Sequence, residues 1–151
     1  MGTTGLTLDQ ILIELNKSIN EKIRGVHFLE LLKSRLIEKF KDLEGKNLKD
    51  LKLMPPDGKI LNKEIDLNDR KISYKIEYFD KSISKIKQRI ENDYLCLILE
   101  GLKSITIYDN NNETKSIYSN LSKNMGVVLT LNTVFSTKIT SKSIILSISI
   151  N

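Results

Sequence analysis

The sequence predicts an α+β protein in which N-terminal amphipathic helices precede an antiparallel jelly-roll β-barrel. Three observations carry this. Apolar residues recur at three- and four-residue steps as far as Phe40. The run Pro55-Pro56-Asp57-Gly58 then breaks the pattern, since paired prolines exclude helix and Asp-Gly favours a turn. Beyond it, short runs alternate apolar with polar residues and are separated by turn material. The break divides a helical segment, 1–54, from a β unit, 55–151, expected to form one compact body.

The helical segment opens with Thr7-Leu8-Asp9-Gln10, which has the T-x-x-Q form of a capping box. Leu8, Ile11, Leu12, Leu15, Ile19 and Ile23 then form one apolar stripe, interrupted at Gly25. A second stripe runs through Phe28, Leu29, Leu32, Leu36 and Phe40, with Gly45 placed as its C′ residue and a further turn at Leu48 and Leu51. The picture is two helices, or one kinked at Gly25, lying on something apolar. Together they offer more apolar surface than one small sheet face needs, which leads to the expectation of a homodimer.

In the β unit, KISYKIEYF alternates with a period of two through Ile72, Tyr74, Ile76 and Tyr78. Further strands are expected at 94–100, 103–108, 114–119, 126–130, 133–139 and 143–150, with Asp109-Asn110-Asn111-Asn112 the clearest turn. Residues 81–92 suit a helix as well as a strand, because Ile83, Ile86 and Ile90 fit either period.

Composition excludes several chemistries. With Cys96 the single cysteine, no disulfide can close within the chain and no cysteine-based zinc site can form. The net charge of +5 is spread evenly and lacks the clustered stripe of a nucleic-acid binder. Lysine outnumbers arginine 20 to 4 and alanine is absent, which reflects a biased genome rather than a function. No apolar run reaches the ~18 residues of a membrane span. The opening MGTTGLTLDQ has no charged-then-apolar signal layout. The expectation is a cytoplasmic protein with neither nucleic-acid nor membrane partners.

Two stretches of the β unit resemble cupin motifs. In YLCLILEGLKSITIYD, Glu100-Gly101 sits between two strands, as in the strand–E-G–strand turn of cupins. NMGVVLTLNTVFSTKI is similar to the second cupin motif, a Gly-led strand, a short turn and a further strand. The spacing after Asn124-Met125-Gly126 and the DNNNETK turn resemble the nucleotide-sugar ketoisomerase branch of cupins. The resemblance covers roughly residues 70–150 and implies a jelly-roll barrel.

It does not carry the usual chemistry with it. A cupin metal site draws an H-x-H pair, a carboxylate and a further histidine together, a donor set suited to a divalent transition metal. Aligning Glu100-Gly101 with the motif puts Lys87-Gln88-Arg89 at the H-x-H positions, Tyr94 at the carboxylate and Phe135 at the last histidine. No cofactor or metal is therefore expected. The single histidine, His27, lies in the helical segment and reads as a packing or surface residue. The cyclic-nucleotide-binding domain shares the barrel shape, but its phosphate cassette needs a Gly-Glu pair and an arginine, and VVLTLNTVFST after Gly126 supplies neither. The helical turn also lacks the small-residue pattern of a DNA-reading helix-turn-helix.

The same alignment points Lys87, Arg89, Tyr94, Cys96, Ile98 and Phe135 into the barrel. Of these, Lys87, Arg89, Tyr94 and Phe135 are the candidate ligand-binding residues: two cations and a phenol suit a small anionic or sugar ligand. The competing reading makes 81–92 an exposed helix or edge with solvated cations. Cys96, between leucines and with no histidine to activate it, reads as core. No phosphate loop, nucleophile elbow or carboxylate pair is present, so no catalytic residue is assigned. The function expected is a metal-free, non-catalytic small-molecule-binding or interaction module. The alternatives are a metal-independent enzyme of sugar or nucleotide-sugar metabolism and a structural oligomerisation domain.

Overall fold

A computed structural model describes residues 7–42, 60–67, 70–79, 83–140 and 142–150, without the side chains of Ile60, Leu61, Ile83, Lys85, Ile86 and Lys87. Gly45, Leu48, Leu51 and the Pro55–Gly58 break lie outside the described residues.

Helix α1 (Leu8–Lys17) starts where the capping box placed it. The Gln10 amide donates to Thr7 Oγ1 at 3.2 Å and the Thr7 amide to Gln10 Oε1 at 2.9 Å. Two otherwise orphaned amides are thereby satisfied, a cap worth about 1 kcal/mol. The helix stops at Lys17, earlier than the apolar stripe suggests. Ser18 caps it, its hydroxyl donating to the Leu15 carbonyl at 2.7 Å. Ile19 is still buried, but as part of the connection rather than of the helix. Helix α2 (Gly25–Asp42) begins at Gly25 with φ +59°, so the glycine separates two helices instead of kinking one.

Among the described residues nine strands follow, and every pairing between them is antiparallel. They are β1 (Ile60–Asp66), β2 (Lys71–Phe79), β3 (Ile83–Arg89), β4 (Tyr94–Glu100), β5 (Lys103–Tyr108), β6 (Thr114–Leu121), β7 (Gly126–Leu129), β8 (Val134–Ile139) and β9 (Ser143–Ile150). Residues 83–89 are thus a strand, and β1 is a strand that alternation did not reveal. One sheet has the order β1-β2-β9-β4-β7 and the other β3-β8-β5-β6.

The expected closed barrel is corrected here. Neither sheet closes on itself: β1 and β7 bound one, β3 and β6 the other. The result is a β-sandwich with jelly-roll-like crossings between the layers. Periodicity in a sequence reports which faces are buried, and that is the same whether outer strands pair or stop.

The five-stranded sheet is buried on both faces. Leu95, Leu97, Leu146 and Ile148 meet Leu12, Phe28, Leu32 and Leu36 in a core between helices and sheet. From the opposite face, Cys96, Ile98 and Ile145 meet Ile105, Phe135 and Ile139 of the other sheet. This is why YLCLILE, and the Ile144–Leu146 stretch of SIILSISI, read as continuous apolar runs rather than alternating ones. The helical stripes that led to the expectation of a homodimer are covered by the chain's own sheet, Phe28, Leu29 and Leu36 having no exposed surface. Each such side chain contributes about 1.5–3 kcal/mol by leaving water.

Polar contacts set how the helices lie. Asp9 pairs with Lys63 of β1 and accepts from the Tyr74 hydroxyl of β2 at 2.7 Å. Arg70, between β1 and β2, donates to the carbonyls of Asn20 and Glu21 at 3.4 and 3.3 Å and stacks 3.9 Å from the Phe28 ring centroid. That face-on cation contact joins the connector, α2 and the sheet at one point.

Candidate functional site

The inner face of the five-stranded sheet changes character along its strands. Strands are pleated, so alternate residues share a face. At β4 the inward set is Tyr94, Cys96 and Ile98, and at β9 it is Ile145, Ser147 and Ser149. Tyr94 lies directly opposite Ser149, and Cys96 opposite Ser147. On the far side of β9, Ser149 faces Ser73 and Ser147 faces Lys75 of β2. The floor between the sheets is therefore apolar at the Ile98 and Ile145 end and polar toward Tyr94, Ser149 and Ser73.

Above the polar part the sheets leave a pocket of about 480 Å³. Its volume lies within the range of small-molecule sites. Phe135 and Thr137 of β8, Lys103 of β5 and Gln88 of β3 line the opposite wall. Lys75 and Glu77 form an ion pair of 3.3 Å on the β2 side. Arg89, Glu91 and Asn92 stand exposed at the mouth.

Two lining groups stand in unusual surroundings. Lys103 is 9 % exposed, and its ammonium donates to Cys96 Sγ at 3.4 Å. Sulfur is a weak acceptor, and an ammonium carries three donors. Tyr94 is held above the ordinary phenol range, chiefly by burial and then by the negative charge of Cys96 and Glu77 in their ionised forms. At neutral pH its hydroxyl is a protonated donor.

Of the four candidate residues, Tyr94, Phe135 and Arg89 all line this pocket. The side chain of Lys87 lies outside the described residues. Strand β3 carries a bulge between Lys85 and Gln88: Lys85 lies opposite Thr137, yet Gln88 is opposite Phe135. The extra residue reverses the alternation. Gln88, not Arg89, shares Phe135's inward face, and Arg89 is paired with Val134 and reaches the pocket from its rim. Lys103 was missed as a site residue. The signal was available, because Lys103 shares its period-two face with Ile105 and Ile107, whose place in the core is plain.

The pocket residues do not fit the metal a cupin site would hold. Among the described residues no three His, Cys, Asp or Glu side chains come together. Glu77 is engaged by Lys75, and the described lining contains no imidazole. His27 sits on α2, across the five-stranded sheet from the pocket.

No protein-family model matches the sequence, and no curated protein matches it. Solved structures do resemble the fold. A cupin superfamily protein of Desulfitobacterium hafniense aligns with TM-score 0.49 and 16 % identity over 70 % of this chain and 91 % of its own. An oxalate decarboxylase variant of Bacillus subtilis aligns with TM-score 0.50 and 8 % identity, over 63 % of this chain and 26 % of its own. The pro-11S globulin of pumpkin gives 0.50 and 10 % over the same shares. At such identities the likeness is one of fold alone, and the strand order makes the β unit an antiparallel β-sandwich of two sheets.

Proposed function

We propose that the chain is a small-molecule-binding module that takes a small anionic or sugar ligand between its two sheets, without catalysis of its own and without a metal. The observation that carries this is Lys103, a buried ammonium facing a hydroxyl-lined pocket with a thiol as its described hydrogen-bond partner. A buried cation is costly unless a counter-charge or good acceptors meet it, and an anionic ligand supplies both. Tyr94 and Phe135 would add a donor and an apolar wall, with Arg89 steering at the mouth. The narrower likeness to nucleotide-sugar ketoisomerases rests on the turn motifs, and it places nucleotide sugars among the ligands to test.

The test is a thermal-shift screen with sugars, sugar acids, sugar phosphates, nucleotide sugars and divalent transition metals. The expected result is stabilisation by one anionic or sugar class, abolished in Ser149→Trp, where the indole fills the pocket. Stabilisation by a transition metal in a His27→Ala variant would overturn the metal-free reading. No response to any ligand class would retire the binding reading in favour of a structural role.

A further inference from the structure

Building on the reading of the inter-sheet pocket as a binding site, we propose that its ligand is a compact polyol bearing one carboxylate. This is the chemistry of an aldonic or uronic acid, with Lys103 taking the carboxylate and the serines of β2 and β9 the hydroxyls.

Charge balance gives the first half. The described lining holds three cations, Lys75, Arg89 and Lys103, against two carboxylates, Glu77 and Glu91. Lys75 is paired with Glu77 at 3.3 Å, while Arg89 and Glu91 both stand at the solvent-exposed mouth. That leaves Lys103, inside, with one positive charge and a thiol as its described partner. A monoanion matches it. A phosphate ester, with close to two negative charges at neutral pH, would leave one without a described cation inside the pocket.

Register gives the second half. Ser73, Ser149 and Tyr94 stand directly opposite one another across three neighbouring strands. With strands ~4.8 Å apart, they form a row about 10 Å long, and Lys75 and Ser147 begin the next row. Each hydroxyl both donates and accepts, as a sugar hydroxyl does. Lys103 joins the second row through Cys96, the neighbour of Ser147, so the cation stands at the end of the hydroxyl rows rather than apart from them. Phe135, on the opposite wall, offers an apolar surface to the ligand's C–H groups.

The decisive experiment is titration calorimetry of the full chain with D-gluconate, D-glucuronate, D-glucose, D-glucose 6-phosphate and acetate. One of the two sugar acids is expected to bind at least about tenfold more tightly than glucose, acetate or the phosphate. Lys103→Met, which keeps the length of the side chain and removes its charge, should erase that preference. Ser147→Ala with Ser149→Ala should weaken the sugar acid and leave acetate as it was. Binding of glucose or glucose 6-phosphate as tightly as the acids would overturn this ligand class and leave the pocket reading standing. Absence of binding by all five, with no response in the wider screen, would overturn both. Because selectivity is read on the unaltered chain, the result holds even if K103M does not fold.

Discussion

At Gly101 the chain leaves β4 of one sheet for β5 of the other with φ +92°. A Cβ there would run into the Lys142 carbonyl and lie 2.6 Å from Ser143 Cα. Ser143 is itself fixed, its hydroxyl accepting from the Leu102 amide at 3.2 Å. Both the backbone conformation and the space require glycine, which is the physical content of the E-G turn read from the sequence. Gly101→Ala is expected to cost on the order of 2 kcal/mol or more, seen as a lower urea midpoint with an unchanged slope. An alanine variant of equal stability would mean that the turn relaxes freely. Asparagine does similar work elsewhere: Asn112, Asn124 and Asn132 at turns, and Asn120 at the irregularity within β6, all have positive φ. Tyr94 gives a second prediction at this scale. Its phenol is raised in the folded chain, by burial first. The unfolded chain therefore releases that proton first as pH rises, from about 10 upward. The stability contributed by the protonated phenol is complete below that value and is lost as pH climbs toward the folded-state pKa. Urea midpoints measured at rising alkaline pH should fall more steeply for the natural chain than for Tyr94→Phe. Parallel curves would show that Tyr94 is solvated.

Elements were legible in the sequence where one face, or both, is plainly apolar. The capping box fixed the start of α1, and alternation located β2, because Ile72, Tyr74 and Ile76 all point at the helices. Residues 83–89 stayed ambiguous for a physical reason: the bulge in β3 breaks the period that would mark a strand. Strand β1 escaped because it is an outer strand rich in charge, with Lys63, Glu64 and Asp66. Tyr94 and Phe135, two of the candidate residues, line the pocket from stretches of β4 and β8 where the register with β9 and β5 is unbroken. Lys103 was legible only in part: it shares a period-two face with Ile105, but a lysine at a strand's first position looks solvated until the opposite sheet is known to cover it. The helices are part of the core rather than an appendage. Leu32→Ala is expected to cost about 2–5 kcal/mol. A chain beginning at residue 60 should fail to stay in solution, because Leu95, Leu97, Leu146 and Ile148 would face water as one apolar patch. A well-behaved monomer of residues 60–151 would refute that account.

For the whole molecule, the two cores are not separate units. One lies between helices and sheet and the other between the sheets, and both are built on β4 and β9, whose side chains enter each in turn. Losing either core strips one face from those central strands. The two layers should therefore unfold together, as small single domains usually do. The helical circular-dichroism signal reports α1 and α2, and near-ultraviolet absorption reports tyrosines that include the pocket's Tyr94. In urea the two signals should give one coincident midpoint. Leu32→Ala, which damages only the helix-side core, should lower both midpoints equally, and Phe135→Ala, on the far side of the sheet, should do the same. A ligand bound between the sheets would by the same coupling raise the helical midpoint without touching a helix. Separate midpoints, or a Leu32→Ala effect confined to the helical signal, would instead make the helices a detachable layer and the β-sandwich an autonomous binding domain.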